Sequence, residues 1–182
     1  MDKVIIDIGS NKLGGYRKLV EILGVTDEWH KVFVEPNPEN YEYLDKTVSL
    51  IPNSTLIKKA VNSNGVPVIL TTRADKEGDT AATIFGKDYL DEVLSRYGQQ
   101  AEGYINYEVD GITIAEILKP HYDKDIYLKI DCEGAEYEIL MNFPEMYFKN
   151  IKRMFVEFHG KIDNTFLLET FANHGINIEE WE

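Results

Sequence analysis

Residues 126–136 read Ile-Tyr-Leu-Lys-Ile-Asp-Cys-Glu-Gly-Ala-Glu, and residues 4–11 read Val-Ile-Ile-Asp-Ile-Gly-Ser-Asn. Both stretches are apolar runs that stop abruptly at acids and a glycine, as a buried parallel strand does when it delivers polar groups to the carboxyl edge of an α/β sheet. In open α/β sheets, ligands bind at that edge. The two stretches therefore predict a cofactor pocket with a reaction site beside it.

Length and composition indicate one globular domain over residues 1–182. No run approaches the roughly 20 apolar residues of a membrane span. The 19 basic and 32 acidic residues give a net charge of −13, which disfavours nucleic acid as a partner because such binding needs basic groups to neutralise phosphates. Cys132 is the only cysteine, so no intrachain disulfide forms. Since the sequence also shows no secretory leader, we expect a cytoplasmic protein.

Strand and helix patterns alternate along the chain, which predicts a mainly parallel sheet with helices on both faces. The predicted strands span residues 4–8, 32–34, 54–61, 126–130, 154–158 and a short 176–178. The predicted helices that follow them span residues 16–23, 36–44, 112–118, 135–141 and 166–171. Gly24 and Gly175 come directly after or soon after two of these helices, as C-terminal caps do.

A second pair of strands is predicted at residues 66–72 and 104–109, where apolar and polar residues alternate as in half-buried antiparallel strands. We expect them to pair as a ribbon added to the parallel core. Between them lie a polar stretch, residues 73–86, and a short amphipathic helix near residues 89–97. A loop of this length in a compact domain is usually functional or disordered, so residues 73–103 form a candidate substrate lid.

A glycine-bearing turn, Gly9-Ser10-Asn11 with Gly14-Gly15, follows the first strand. Glycine lets a ligand approach the backbone closely, and the helix N-terminus beside it offers free N–H groups to an anionic group. The spacing is not the dinucleotide pattern Gly-x-Gly-x-x-Gly, and it lacks the Gly-Lys-Ser/Thr ending of a phosphate loop. The turn therefore indicates either a ligand cradle or a simple tight turn.

Glu35 ends the second strand and strengthens the ligand interpretation. An acid at this position can accept both hydroxyls of a ribose, as it does in nucleotide-binding βαβ units. The alternative is an acid that interacts favourably with the dipole of the following helix. Together with the glycine turn, Glu35 favours a ribose-containing ligand.

Three acids, Asp131, Glu133 and Glu136, crowd the end of the strand at residues 126–130. So close together, they raise one another's pKa unless a cation, a donor or water intervenes. Lys129 lies two residues before Asp131 on the same strand face, so the two are predicted to form an ion pair. Glu133 and Glu136 have the alternative interpretation of first-turn helix acids. We assign no metal from the sequence, although clustered carboxylates could hold Mg²⁺, a variant that chelation would reveal.

Glu157 and His159 end the next strand in the same manner, and they share a strand face. His159 can titrate near neutral pH, which suits a general base. Its place at the sheet edge favours His159 over the other histidines, His30, His121 and His174. The alternative is a histidine that is only solvated or hydrogen-bonded.

These residues resemble the FkbM family of S-adenosylmethionine-dependent methyltransferases, which have the Rossmann-like class I methyltransferase fold. The matching segments occur in family order over most of residues 4–160, and the run Lys-Ile-Asp-x-Glu-Gly-Ala-Glu at residues 129–136 is the most specific. The other matching segments are residues 5–11, 34–38, 60–62, 112–114 and 156–159. The resemblance implies a three-layer, mostly parallel sheet, with the antiparallel ribbon added and the C-terminal end shortened.

The resemblance also implies a role for individual residues. The cofactor would contact Asp7, Gly9, Ser10 and Asn11 at its methionine part, Glu35 at its ribose hydroxyls, Asn62 near its adenine, and Asp131 with Glu133 at the transferred methyl group. Family members are mostly O-methyltransferases that act on hydroxyls of sugars, glycans or polyketide-like natural products. The expected reaction is in-line transfer of the sulfonium methyl to such a hydroxyl, with Asp131, His159 or Glu133 as the catalytic base.

Two features depart from the family pattern. The family usually has a glycine two residues after the asparagine, whereas here Lys12 and Leu13 precede the glycines. Class I methyltransferases also continue into a final antiparallel strand, so we expect either a shortened sheet or a homo-oligomer that covers its edge. These departures leave a competing hypothesis, a catalytically degenerate domain that serves as a binding or assembly module. A nicotinamide-dependent oxidoreductase is disfavoured by the glycine spacing.

Overall fold

The computed structural model describes residues 2–75, 81–160 and 163–181. Its strands are β1 (Lys3–Ile8), β2 (His30–Val34), β3 (Ser54–Ile57), β4 (Ala60–Val61), β5 (Val68–Arg73), β6 (Tyr104–Val109), β7 (Gly111–Ile112), β8 (Asp125–Ile130), β9 (Ile151–Val156) and β10 (Ile178–Glu180). Its α-helices are α1 (Gly14–Leu23), α2 (Tyr41–Val48), α3 (Lys87–Arg96), α4 (Ile114–Leu118), α5 (Glu136–Met141) and α6 (Thr165–Asn173). Within these ranges, none of the helices combines the length and the apolarity needed to cross a membrane.

The central sheet has the strand order β10-β9-β8-β1-β2-β3, and every neighbouring pair in it runs parallel. Alternate residues of a strand face opposite sides, so Ile6 and Ile8 of β1 join one apolar cluster and Ile5 joins another. Helices α4, α5 and α6 pack on the first side, and α1 and α2 pack on the second. The predicted α/β fold, a mostly parallel sheet between two layers of helices, is confirmed.

The strand register brings the carboxyl ends of four strands into line. Ile8 of β1 pairs with Val34 of β2 and with Ile130 of β8, and Ile130 pairs with Val156 of β9. The residues that directly follow these four strands therefore lie side by side, and they are Gly9, Glu35, Asp131 and Glu157. The edge for which the sequence predicts a ligand site is thus one continuous row.

The predicted ribbon is confirmed, since β5 and β6 pair antiparallel in a two-stranded sheet of their own. The predicted single strand at residues 54–61 is wrong, because β3 joins the central sheet while β4 pairs with β7. The chain leaves the central sheet at Lys58, whose Nζ lies 2.7 Å from Oδ2 of Asp45 on α2. The backbone of Ala60 then donates to the carbonyl of Asp110. The periodicity of apolar residues along the sequence does not reveal that a chain passes from one sheet to another.

The candidate lid, residues 73–103, is described except for residues 76–80, which lie outside the described ranges. Its helix α3 is anchored rather than free, because Leu90 and Leu94 are buried in a cluster that includes Tyr104 of β6, and Tyr89 lies against Gly134 after β8. The described part of the segment therefore packs on the body of the domain, beside the ribbon.

Two histidines meet near the amino-terminal ends of β2 and β8 and make the stability sensitive to acid. His121 is 4% exposed, and its Nδ1 has no hydrogen-bond partner among the described residues. Its ring centroid lies 5.1 Å from that of His30. Burial, followed by the charges of His30 and Lys124, lowers the pKa of His121 to about 4. Between about pH 6.5 and pH 4 the unfolded chain binds this proton and the folded chain does not, so stability falls as the pH drops through that window.

We expect a His121→Leu variant to lose less free energy of unfolding on acidification than the wild type does. Urea unfolding at pH 7.5 and pH 4.5 measures it, with the exposed His174→Leu variant as the control. The wild type and the control should lose about 1–3 kcal/mol more on acidification than His121→Leu does. Equal losses in all three proteins would show that His121 is not the acid-sensitive group.

Candidate active site at the carboxyl edge of the sheet

A cavity of about 790 Å³ lies along the carboxyl ends of the central strands. Seven of the predicted site residues line it, namely Gly9, Ser10, Asn11, Glu35, Asp131, Glu133 and His159. The other two, Asp7 and Asn62, are not among the lining residues. Residues of β5 and α3, together with the segment between them, contribute the opposite wall.

The glycine turn holds β1 against β8. Gly9 has a φ of +76°, and a Cβ on it would lie 1.6 Å from the carbonyl oxygen of Asp131. No residue with a side chain fits there, because both the backbone conformation and the space require glycine. The turn therefore brings the backbone after β1 into direct contact with the acidic end of β8.

Lys12 and Leu13, which depart from the family pattern, leave the turn intact. Leu13 has a left-handed φ of 64° and is 1% exposed, and it packs with Phe33 and Leu44. Its backbone N–H donates to the carbonyl of Ser10 at 2.7 Å. Burial of the leucine side chain thus anchors the longer turn in the core, while Lys12 stays exposed on the cavity wall.

Ser10 and Glu35 fasten the turn to β2. The Ser10 hydroxyl donates to the Asp7 carbonyl at 2.7 Å and accepts from the Val34 N–H at 3.1 Å. Glu35 is 5% exposed and accepts from the Asn11 N–H at 2.7 Å through Oε2 and from the Asn37 N–H at 2.9 Å through Oε1. Burial raises the pKa of Glu35, and these N–H donors oppose the rise. Glu35 thus joins the two loops that border this end of the cavity.

Lys129 is a buried cation between two acids. Its Nζ lies 3.1 Å from Oδ1 of Asp7 and 3.1 Å from Oδ2 of Asp131, and it donates to the Gly9 carbonyl at 3.1 Å. Burial opposes its charge, but the two carboxylates raise the pKa of Lys129 above its usual value. The predicted ion pair with Asp131 is therefore present, and register brings Asp7 in as a second partner. Asp7 lies behind the cavity, where it holds Lys129.

His159 lies among three carboxylates. Its Nδ1 is 3.0 Å from Oε1 of Glu136, and its Nε2 is 3.5 Å from Oε2 of Glu133 and 3.4 Å from Oε1 of Glu157. Burial disfavours the imidazolium, but the hydrogen bonds to Glu136 and Glu157 and the charge of Glu133 raise the pKa of His159 to about 11. A ring that is protonated at neutral pH cannot accept a further proton. The geometry therefore favours a carboxylate over His159 as the base.

Glu133 is the carboxylate best suited to accept a proton. Burial raises its pKa to about 8, and the charges of Asp131 and Glu136 add to this rise although His159 opposes it. Its side chain is 16% exposed, and its Oε2 has no hydrogen-bond donor within the described ranges. Once it is ionised, above about pH 8, a carboxylate with a raised pKa is a stronger base than an ordinary one, whereas His159 stays protonated to about pH 11. Asp131, whose pKa is also raised by burial, is tied to Lys129 instead.

Glu136 organises the loop rather than lining the cavity. It is fully buried and accepts from the Cys132 N–H at 2.7 Å and from the Gly134 N–H at 3.1 Å. This matches the alternative interpretation of Glu136 as an acid at the helix start. Through the same carboxylate it also fixes the ring of His159.

Asn62 completes its own turn. Its Oδ1 accepts from the N–H groups of Asn64 and Gly65, and its Nδ2 donates to the Val66 carbonyl. Its neighbours Ala60 and Val61 line the cavity instead. Further lining residues that sequence reasoning missed are Leu70, Ala81, Ala82, Ile84, Val93 and Leu94. They are apolar, and nothing in the sequence separates such residues from ordinary core.

Asp131, Glu133 and His159 carry ligand atoms that all lie within 4.8 Å of one another, close enough to share a metal ion. Both ring nitrogens of His159 already face carboxylates, so a cation would have to displace a proton from the ring. Within the group His159 pairs with Glu133, while Asp131 pairs with Lys129 outside it. Asp131, Glu133 and His159 thus form an acid–imidazolium cluster.

Comparison with known families gives the class of protein. The chain combines a parallel sheet with a glycine turn after β1, an acid after β2 and acids after β8, all on one cavity. The sequence model of the methyltransferase FkbM domain matches residues 7–177, so the chain belongs to the FkbM methyltransferase family. A search of curated proteins and a search of solved structures each found no significant match.

Proposed function

We propose that this methyltransferase transfers the methyl group of S-adenosylmethionine to a hydroxyl of a sugar, a glycan or a natural product. The observation that carries the proposal is the row of Gly9, Glu35 and Asp131 along one cavity, with Glu133 beside it. Along the sheet edge the row offers a buried carboxylate at Glu35, a backbone turn at Gly9 and, at Asp131 and Glu133, a proton acceptor. These are the groups that an adenosyl cofactor and a reacting hydroxyl require.

The residues fit the cofactor by their chemistry. The turn at residues 9–11 suits the methionine part, since all three of its residues line the cavity just before the start of α1. The Glu35 carboxylate has two oxygens with about four acceptor positions, of which three are taken by N–H groups, so it can accept a ribose hydroxyl. Ala60 and Val61 offer an apolar wall for the adenine. Asn62 contributes to that wall by shaping its turn.

The bound cofactor would supply an electrophilic methyl group, and the protein would supply position and a proton acceptor. Ionised Glu133 takes the proton of the acceptor hydroxyl. Its raised pKa narrows the difference from the pKa of that hydroxyl, which makes it a better proton acceptor. Protonated His159 lies against Glu133 and Glu157 and holds both carboxylates in place. Lys129 keeps Asp131 ionised beside them.

The competing hypothesis of a degenerate binding module depended on the altered turn at Lys12 and Leu13 and on the shortened C-terminal end of the sheet. That turn keeps its position along the cavity, because Leu13 is buried in the core. The intact turn and the acid–imidazolium cluster both favour an enzyme over an assembly module.

A screen for acceptors tests the proposal. The purified chain is incubated with S-adenosylmethionine and panels of sugars, glycans and hydroxylated natural products, and release of S-adenosylhomocysteine is measured. We expect release that depends on one class of acceptor, and methylation at its hydroxyl by mass spectrometry. Release that depends only on amines or on no added acceptor would contradict a hydroxyl-directed transfer.

Glu133→Gln should remove most of this activity, because an amide cannot accept the proton. We expect turnover to fall by about 100-fold or more, within the range reported for general bases, with cofactor affinity nearly unchanged. In the wild type, kcat/KM should rise with pH through about 8 as Glu133 ionises. The exposed Glu145→Gln variant is the control and should behave as wild type. A Glu133→Gln variant with wild-type turnover would exclude Glu133 as the base.

A further inference from the structure

We propose that Thr83 is a positioning residue that ties the segment between β5 and β6 to the proposed base Glu133. The inference rests on the proposed function in so far as Glu133 is the base. It makes the segment part of the active-site scaffold rather than only a cover over it. Thr83 lies 50 residues before Glu133 in the chain, and no sequence motif connects the two.

Thr83 itself is held firmly. It is 1% exposed, its N–H donates to the Thr71 carbonyl at 3.0 Å, and its carbonyl accepts from the Thr71 N–H at 2.8 Å. Thr71 belongs to β5, which pairs along its length with β6. Two backbone hydrogen bonds therefore fix Thr83 to the ribbon and define the position from which its side chain extends.

The Thr83 hydroxyl then reaches across to the loop after β8. Its Oγ1 donates to the carbonyl of Glu133 at 2.9 Å and accepts from the Phe85 N–H at 3.3 Å. Glu133 has a φ of +49°, a left-handed conformation that a residue with a side chain adopts only at a cost in energy. Such a conformation persists when its surroundings hold it, and the Thr83 hydrogen bond is one such restraint.

The loop that carries Glu133 is thus held from two sides. On one side, Glu136 of α5 accepts from the N–H groups of Cys132 and Gly134. On the other, α3 packs closely, because a Cβ on Gly134 would lie 2.4 Å from the Tyr89 hydroxyl oxygen. Thr83 provides the hydrogen bond on that second side, and loss of it would remove one restraint on the position of Glu133.

Position matters at Glu133 because its carboxylate lies 3.5 Å from His159 Nε2 within the acid–imidazolium cluster. A general base acts only within hydrogen-bond reach of the proton it removes. A small shift of the loop would alter both that reach and the contact with His159. The contact with His159 therefore reports on the loop without any need for an acceptor.

Thr83→Val tests the proposal, since valine keeps the shape of threonine and removes the hydroxyl. Thr83→Ser keeps the hydroxyl, and Thr83→Ala replaces the valine variant if the latter misfolds. Thr72→Val is the matched control, because Thr72 is fully buried in β5 and its hydroxyl has no hydrogen-bond partner in the described part of the chain. Amide exchange at Gly134, the His159 ring titration by NMR and S-adenosylhomocysteine affinity are measured for each protein.

In Thr83→Val we expect amide exchange at Gly134 to be about ten times faster and the pKa of His159 to fall by about one unit or more, as loss of one buried hydrogen bond allows. Thr83→Ser and Thr72→Val should match the wild type. The affinity for S-adenosylhomocysteine should stay within about threefold of the wild-type value in every variant, because the substitutions leave the turn at residues 9–11 and Glu35 unchanged. Once an acceptor is known, the kcat of Thr83→Val should fall with the cofactor KM unchanged.

Unchanged amide exchange at Gly134 and an unchanged titration of His159 in Thr83→Val would overturn the proposal. If no protein binds S-adenosylhomocysteine but the Thr83 effects persist, the proposed function fails and the positioning role stands.

Discussion

Replacement of Lys129 by methionine is expected to destabilise the protein more than any other single change at the site. Lys129 is almost completely buried, with Asp7 and Asp131 each 3.1 Å from its Nζ. Without the ammonium group, the buried carboxylate of Asp7 and the carboxylate of Asp131, whose side chain is 25% exposed, have no compensating charge between them. Loss of one member of a buried ion pair costs about 3–5 kcal/mol, which corresponds to a fall in Tm of about 6–20 °C in a chain of this length. Urea and thermal unfolding measure the effect.

Lys152→Met is the matched control. Lys152 lies 3.2 Å from Asp125, but its side chain is 40% exposed, so we expect a loss of no more than about 1 kcal/mol. Adding Asp7→Asn to Lys129→Met should recover part of the stability, because one uncompensated charge is removed. If the free energy of unfolding of Lys129→Met were within about 1 kcal/mol of the wild-type value, the ion pairs of Lys129 with Asp7 and Asp131 would not support the site as we describe.

Gly9→Ala should abolish cofactor binding and also weaken the fold. The added Cβ would lie 1.6 Å from the Asp131 carbonyl oxygen, so the ends of β1 and β8 must separate to admit it. The φ of +76° alone makes alanine unfavourable by more than about 1 kcal/mol. We expect the stabilisation by S-adenosylhomocysteine to disappear in a thermal-unfolding measurement.

Gly14→Ala separates this effect from a general intolerance of the turn. Gly14 also lines the cavity, but a Cβ on it meets nothing within 4 Å, and it is the first residue of α1. Alanine there should leave cofactor binding intact and change stability by no more than about 1 kcal/mol, in the stabilising direction. Equal loss of binding in both variants would argue that the cavity does not hold the cofactor in the way we propose.

The ends of the buried strands could be predicted from sequence because they follow from local composition. Apolar runs that stop at Asp131 or at Gly9 indicate the carboxyl edge without knowledge of any contact. The ion pair of Lys129 with Asp131 likewise follows from the alternation of side chains along one strand. The second partner, Asp7, could not be inferred, since it depends on β1 and β8 being neighbours in the sheet.

The protonation of the site could not be predicted. His159 was a reasonable base on its position alone, but its charge depends on Glu136 and Glu133 from another loop. The contact of Asn62 with the adenine stays a prediction, since its amide closes a local turn at residues 62–66 beside Ala60 and Val61 of the cavity wall. The charge of His159, by contrast, is set by tertiary contacts, about which single-sequence patterns carry no information.

The apolar wall of the cavity also escaped sequence reasoning. Val93 and Leu94 follow Leu90 by three and four residues in α3, the helical spacing of core residues, and they are buried. Their place on the cavity follows from how the inserted segment folds back over the sheet edge, where Thr83 meets Glu133. The sequence predicts a candidate substrate lid at residues 73–103, but only the structure connects this segment to the loop after β8.

Thermal unfolding in the presence of S-adenosylhomocysteine tests most directly whether this cavity binds the proposed cofactor. At about 100 times its Kd, a ligand stabilises the folded state by about 2.7 kcal/mol, which corresponds to a rise in Tm of about 5–10 °C for a chain of this length. We expect that rise with S-adenosylmethionine and S-adenosylhomocysteine and none with NAD. The absence of a rise with either compound at millimolar concentration, or an equal rise with NAD, would contradict the account.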